Sequence, residues 1–309
     1  MARFQVIKGG EALGMGLADY LWVTEEGAVC VKKKTILIGK DDKGGQVPLV
    51  DRWSVAECGC CEDVRDHDMC PRPMIFTLSP CFFLPDPTRP QPNYLVLCEI
   101  RDTSDKCPLG SYRSLLRKAQ KARGPTAKLM WFGFEQKYML WDADEKEPSL
   151  NERRFLTSER HIGACFDAGL LLHSAWNQVP TRSWNFKVGV RGFSQDLDPD
   201  PPSALVVCDH LMVAHYLMEK IGSERGLVPE WRNLALFVST PKLREPGGDQ
   251  EAQMAHLMEV LQGDDRRLRG LPHPVRGGYQ CIEVARSGFM NPYKLALDVL
   301  EALWPLEAK

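Results

Sequence analysis

Eleven consecutive residues, Trp131 to Trp141, read WFGFEQKYMLW. The run reads as a strand over 130 to 141. Alternate residues of a strand point to one side, so Glu135 and Lys137 share a face. At neutral pH the lysine amine is protonated and has no electron pair to offer a divalent ion. A carboxylate and an ammonium side by side suit an ion pair better than a metal centre.

Composition sets the outer bounds. The chain has 309 residues, enough for one large domain or two smaller ones, and 44% of them are hydrophobic, so a sizeable core is within reach. A net charge of −2 gives no global basic field, which argues against nucleic acid as a partner. No apolar run approaches the roughly 18 residues that span a bilayer. The opening stretch, MARFQVIKGGEALG, has neither an apolar signal core nor an Arg/Ser-rich presequence. That points to the cytoplasm, with the mitochondrial matrix side of a larger complex as the alternative. The eleven cysteines are odd in number and scattered, so most read as small buried hydrophobes rather than a disulfide framework.

Residues 15 to 100 read as β-rich, with a turn at Glu25-Glu26-Gly27, a proline-rich stretch holding Pro80, Pro85, Pro87, Pro90 and Pro92, and a strand from Tyr94 to Ile100. Ser111 opens a helix that ends at Gly124. After strand 130–141 the spacing predicts a helix over about Thr157 to Gly169, then a strand over 183–190. Val207, Leu211, Ala214, Met218 and Ile221 put one apolar face on a helix over Ser203 to Ile221. Further helices are predicted over Gln250 to Leu261 and from Asn291-Pro292 onward, the last burying Ala296, Val299, Leu300 and Leu303.

Several of these segments resemble glutamine synthetase of the eukaryotic-like type. Trp131 to Trp141 is similar to that family's WFGxEQEY strand. LADYLW (17 to 22), VKKKTILI (31 to 38), Arg72-Pro73 and LVLCEI (95 to 100) resemble its small N-terminal domain. HIGACFDAGLLLHSAWNQVPTRSWNFKVG (161 to 189) resembles its H-x-x-x-C-x-x-A-G helix, loop and WEFQVG strand. DHLMVAHYLMEKIGSERGLVP (209 to 229), FVSTPKLREPGG (237 to 248) and NPYKLALDVLEAL (291 to 303) resemble later segments, in the family's order. The resemblance implies an α+β fold: a β-grasp domain over 1–110, then a truncated catalytic-like domain over 111–309, an antiparallel-sheet barrel with helices outside. The family assembles into stacked rings with active sites between subunits.

The resemblance also implies a site, and the chain departs from it position by position. The family phosphorylates glutamate with ATP and displaces phosphate with ammonia, with carboxylates holding the metal ions that screen the charge. Glu135 matches one such carboxylate. Lys137 stands at the next, Gln178 and Asn185 stand where two further glutamates are expected, and Ala235 falls near the family's histidine. The family's catalytic aspartate aligns with Ala56 or, one residue on, Glu57. The long loop before His161, the arginine-bearing flap and the E-D-R-R-P segment have no counterpart; only Arg269 to Val284 remains between the last two matching regions. Asn185 and Lys187 share a strand face as Glu135 and Lys137 do, so correct register brings two ammonium groups into the former metal pocket. At about 4 Å in an intermediate dielectric each such charge pair is worth about 4 kcal/mol. Lys137 would pair with Glu135, and the lysines would serve as structural counter-charges.

Other candidates have plainer readings. Cys58, Cys60, Cys61 and Cys70, with His67, offer thiolates to zinc at a spacing unlike a standard knuckle; a cysteine-rich loop is the alternative. Arg113, Arg117, Lys118, Lys121 and Arg123 read as a solvated basic face. Pro246-Gly247-Gly248 and GEALGMG (10 to 16) lack phosphate-loop context. His161, His210 and His215 read as surface or interface residues.

Three functions fit. The first is a pseudoenzyme descended from nitrogen metabolism, without catalytic, cofactor or metal residues, serving as a structural or accessory subunit among protein partners or in a homo-oligomer. The second is an active ATP-dependent glutamate–ammonia ligase using magnesium or manganese, for which Glu135, Glu57, Arg72, Asp66 and Asp68 can be cited. The third is a non-catalytic sensor of an amino acid or nucleotide.

Overall fold

The computed structural model describes residues 14–40, 45–57, 74–102, 111–142, 151–178, 182–189, 202–245, 250–261, 268–274, 280–286 and 290–307. They form two compact units, Met1–Ser114 and Leu115–Lys309. The architecture is α+β, with one six-stranded sheet in each unit.

The first sheet holds β1 (Gly14–Val23), β2 (Val29–Lys40), β3 (Gln46–Leu49), β4 (Trp53–Glu57), β5 (Met74–Pro85) and β6 (Tyr94–Arg101), in the order β3-β2-β1-β6-β5-β4. β1 runs parallel to β6, and the other neighbours are antiparallel. One face carries the alternating residues Ala18, Tyr20, Trp22, Ile36, Ile38, Phe76, Leu78, Tyr94, Val96 and Cys98, which pack as a core. Gly27, at φ 101°, turns β1 into β2. The proline-rich stretch is more strand than expected. Pro80 lies inside β5, where the register shifts between Pro80 and Phe82, and such an irregularity accommodates a residue without an N–H.

Helix α1 (Tyr112–Ala122) follows, and the border between the units falls within it. It is not simply a solvated basic face. Arg113 is 11% exposed and bonds Glu99 at 2.7 Å, and the Arg123 guanidinium lies over the Trp304 ring at 5.5 Å. Arg117, Lys118 and Lys121 are exposed.

The second sheet is antiparallel and curled into a half-barrel, in the order β11-β12-β10-β7-β9-β8. Its strands are β7 (Trp131–Asp142), β8 (Leu172–Gln178), β9 (Ser183–Gly189), β10 (Leu227–Ser239), β11 (Leu268–Pro274) and β12 (Gln280–Arg286). The helices are α2 (Glu152–Asp167), α3 (Ala204–Ser223), α4 (Pro241–Arg244), α5 (Gln250–Leu261) and α6 (Pro292–Glu307). Alternation along β7 divides the sheet: Phe132, Phe134, Gln136, Tyr138 and Leu140 are buried on the side where α3 packs, while Glu135 and Lys137 are only half-buried on the other.

Helix boundaries follow their caps. Ser203 accepts from Val206 N to start α3, and Asn291 accepts from Tyr293 N to start α6. The apolar faces predicted for α3 and α6 are buried throughout. α2 begins five residues before Thr157, because Asn151 caps it by accepting from Arg154 N. β8 replaces the loop expected after Gly169. β11 and β12 form a hairpin where only a remnant was expected. No described helix is long and apolar enough to cross a membrane.

Candidate functional site

Glu135, Lys137, Asn185, Lys187 and Ala235 lie on one face of the second sheet. Register sets Glu135 opposite Lys187 and Lys137 opposite Asn185 between β7 and β9. On the far side of β7, Ala235 of β10 stands opposite Glu135. On the far side of β9, Trp176 of β8 stands opposite Asn185 and Ser174 opposite Lys187. Gln178 closes β8 opposite Ser183; its side chain lies outside the described residues.

Glu135 is paired with Lys187, the residue facing it across the ladder, rather than with Lys137 two positions along. Lys187 Nζ lies 3.2 Å from Glu135 Oε2, with the two side chains 26% and 23% exposed. The same ammonium lies 5.2 Å from the Trp176 ring centre and 4.9 Å from that of Phe237, within cation–π range of both. Phe237 reaches it diagonally. Its register partner on β7 is Gly133, which has no side chain to stand in the way.

Asn185 is 2% exposed. In the amide orientation that satisfies both its groups, its oxygen accepts from Trp176 Nε1 at 2.9 Å and its nitrogen donates to Trp184 O at 3.0 Å. The side chain is thereby committed to protein partners.

These residues do not fit a divalent ion. Magnesium asks for several hard oxygen ligands in near-octahedral array. Glu135, Lys137, Asn185 and Ala235 offer one carboxylate already held by an ammonium, a second lysine, a spent amide and an alanine; Glu283 of β12, opposite Phe237, adds a second carboxylate on this face, two strands away from Glu135. Among the described residues no group of three His, Cys, Asp or Glu side chains is placed to hold a metal.

The proposed zinc residues Cys58, Cys60, Cys61, Cys70 and His67 lie outside the described residues, as do Asp66, Asp68 and Arg72. Ala56 and Glu57 lie on β4, opposite Ile75 and Met74; their side chains also lie outside the described residues.

His161 and His215 are not at the surface, and His210 is half-buried. His161 is fully buried, its Nε2 2.9 Å from Ala214 O and 3.2 Å from Cys165 Sγ. His215 is 1% exposed, stacks on Trp231 at 3.9 Å and meets Gln136 Oε1 at 3.1 Å through Nε2. His210 Nδ1 accepts from Leu171 N at 3.0 Å. Burial pushes His161 and His210 down to about 4 and His215 to about 3, so all three are neutral at pH 7. A helix such as α3, apolar nearly all round, is one that ends inside a core, and that signal marked His215 as buried.

Trp176 and Phe237 were missed from sequence. Each sits two residues from a position that was singled out, Gln178 and Ala235, and so on the same strand face. Reading β8 as a strand would have found Trp176.

The chain is similar over most of its length to known glutamine synthetases. It is 25% identical to that of Debaryomyces hansenii over 318 residues, which cover 90% of this chain and 78% of the relative. It is 24% identical to that of Neurospora crassa over 305 residues, covering 83% and 76%. It is 25% identical to that of Eremothecium gossypii over 294 residues, covering 83% and 73%. No protein-family model matches the chain.

Proposed function

We propose that this chain, a distant member of the glutamine synthetase family, works as a structural or accessory subunit of a larger protein assembly and carries no ATP-dependent ligase activity. The observation that carries this reading is the cation on Glu135. It is Lys187, held by a carboxylate and two aromatic rings. Phosphoryl transfer depends on metal ions bridging the phosphates and neutralising the developing charge. A covalently attached ammonium delivers one charge and no open coordination positions. It also repels a divalent ion that approaches the same carboxylate.

The packed half of the second unit supports a structural role. Tyr138, Phe132, Phe134, Phe186, Leu211, Met218, Leu236 and Leu300 are almost wholly buried, so the framework of the fold is intact on the helix-covered side. A chain that preserves this core while its metal-facing residues change is suited to work through its shape and surface.

The test is purification from the native source under mild conditions, followed by an assay with glutamate, ATP and ammonia. Recovery with protein partners in fixed stoichiometry and no ADP or glutamine is the expected result. Glutamine formed at a rate that tracks the purified chain overturns the reading. Recovery as a monomer with no partner removes the assembly part of it.

A further inference from the structure

We propose that Glu135, Trp176 and Phe237 form a binding site for a monovalent alkylammonium ion, and that the chain fills this site with its own Lys187 side chain. The lining selects that ligand chemistry. A carboxylate takes one N–H bond and neutralises one charge. Aromatic faces attract a weakly hydrated, singly charged cation, and supply none of the oxygens a small divalent ion needs when it sheds water. The three groups come from three different strands, β7, β8 and β10, while the ammonium comes from β9 between them. Gly133, the register partner of Phe237 on β7, has no side chain, and the Phe237 ring lies 4.9 Å from the ammonium.

The consequence goes beyond the accessory role and holds for any use of the chain. An external ion occupies a site in proportion to its concentration, and its affinity is lost to chelators. A tethered ammonium is always present. The four strands β10, β7, β9 and β8 are therefore tied together without magnesium, manganese or nucleotide.

Chemical rescue tests this directly. Replacing Lys187 by alanine removes three methylenes and the ammonium, which together match n-propylammonium. The full chain carrying Lys187→Ala is expected to melt about 3–8 °C below the wild type. n-Propylammonium chloride is expected to restore a large part of that loss, sodium chloride at equal ionic strength none, and neither is expected to move the wild type. Excess magnesium or EDTA is expected to leave the wild-type melting temperature unchanged. Lys187→Met keeps most of the stem and fills the cage, so it is expected to fold, melt below the wild type and gain nothing from the amine. A Met variant as stable as the wild type overturns the proposal, even if the Ala variant does not fold. Equal rescue by sodium, or a wild type stabilised by magnesium, overturns it too. These outcomes do not touch the assembly reading, which rests on co-purification.

Discussion

The indole N–H of Trp176 ends on the amide oxygen of Asn185, its neighbour across the β8–β9 ladder, at 2.9 Å. That bond limits what a carboxylate placed at 185 can achieve. Asn185→Glu puts a longer, charged group at a position 2% exposed and removes the donor that serves Trp184 O. Urea unfolding is expected to show a loss of about 1–3 kcal/mol. Calorimetry is expected to show no tight magnesium or manganese binding in the wild type or in this variant. Lys137→Glu combined with Asn185→Glu and Lys187→Gln removes the repelling charges and is expected to bind manganese measurably. Tight binding by the wild type would sink this account of the face.

Two glycines are expected to answer alanine in opposite directions. Gly189 sits at φ 118°, and a Cβ there would lie 2.7 Å from Phe132 O and 2.9 Å from Gly133 Cα. Gly189→Ala is expected to cost about 2–4 kcal/mol, through strain and a backbone clash that cannot relax cheaply. Gly163 lies within α2 and a Cβ there meets nothing within 4 Å. Gly163→Ala is expected to stabilise by about 0.5–1 kcal/mol. Denaturant midpoints of the two variants check both signs.

Acid is expected to weaken the fold before carboxylates titrate. His161 and His210 are held at about 4 and His215 at about 3, in each case chiefly by burial. The unfolded chain takes up protons on these rings near pH 6.5. The folded chain refuses them until much lower pH. Their contribution to stability is thus fully present above about 6.5 and is lost as pH falls from there toward about 4. Urea unfolding at pH 5 is expected to give a stability lower than at pH 7.5 by about 2–5 kcal/mol. His161→Gln should make that difference clearly smaller. An undiminished slope in the variant would show that other groups carry it.

Arg89 joins two carboxylates that have no exposure of their own. Its Nη1 is 2.9 Å from Asp19 Oδ1 and 3.1 Å from Asp86 Oδ2, while Lys33 approaches Asp19 at 3.7 Å. Arg89→Met is expected to destabilise the first unit by about 2–4 kcal/mol, because it removes the cation between two buried carboxylates, while Lys33 still approaches Asp19 and Thr88 still bonds Asp86. Adding Asp19→Asn to Arg89→Met should recover some of that loss. A purely additive double mutant would show that the two residues are not coupled.

Much of the framework was legible from local pattern. α3, α5 and α6 start where their polar starts or caps were read, and the apolar stripes of α3 and α6 are buried. The misses share a cause. β8 carries His173, Ser174, Ala175, Trp176 and Asn177, a run without clean alternation, and it becomes a strand because β9 offers it a ladder. In sequence Pro80 reads only as part of a proline-rich stretch; the register shift beside it lets β5 continue through it to Pro85. In sequence His161 reads as a surface or interface residue. It is buried because Ala214 O, 53 positions away, accepts its N–H.

By itself the amino-acid order determined the family likeness, the α+β class, the faces of the long helices and the placing of a lysine at 137 two residues from Glu135 on one strand. Those follow from short-range periodicity and from which residue type occupies a position. Only the tertiary structure decided that Lys187, not Lys137, meets Glu135, and that Trp176 and Phe237 close around it. Strand register joins segments some 50 to 100 positions apart, and it is set by how whole sheet faces bury together, which no local spacing records.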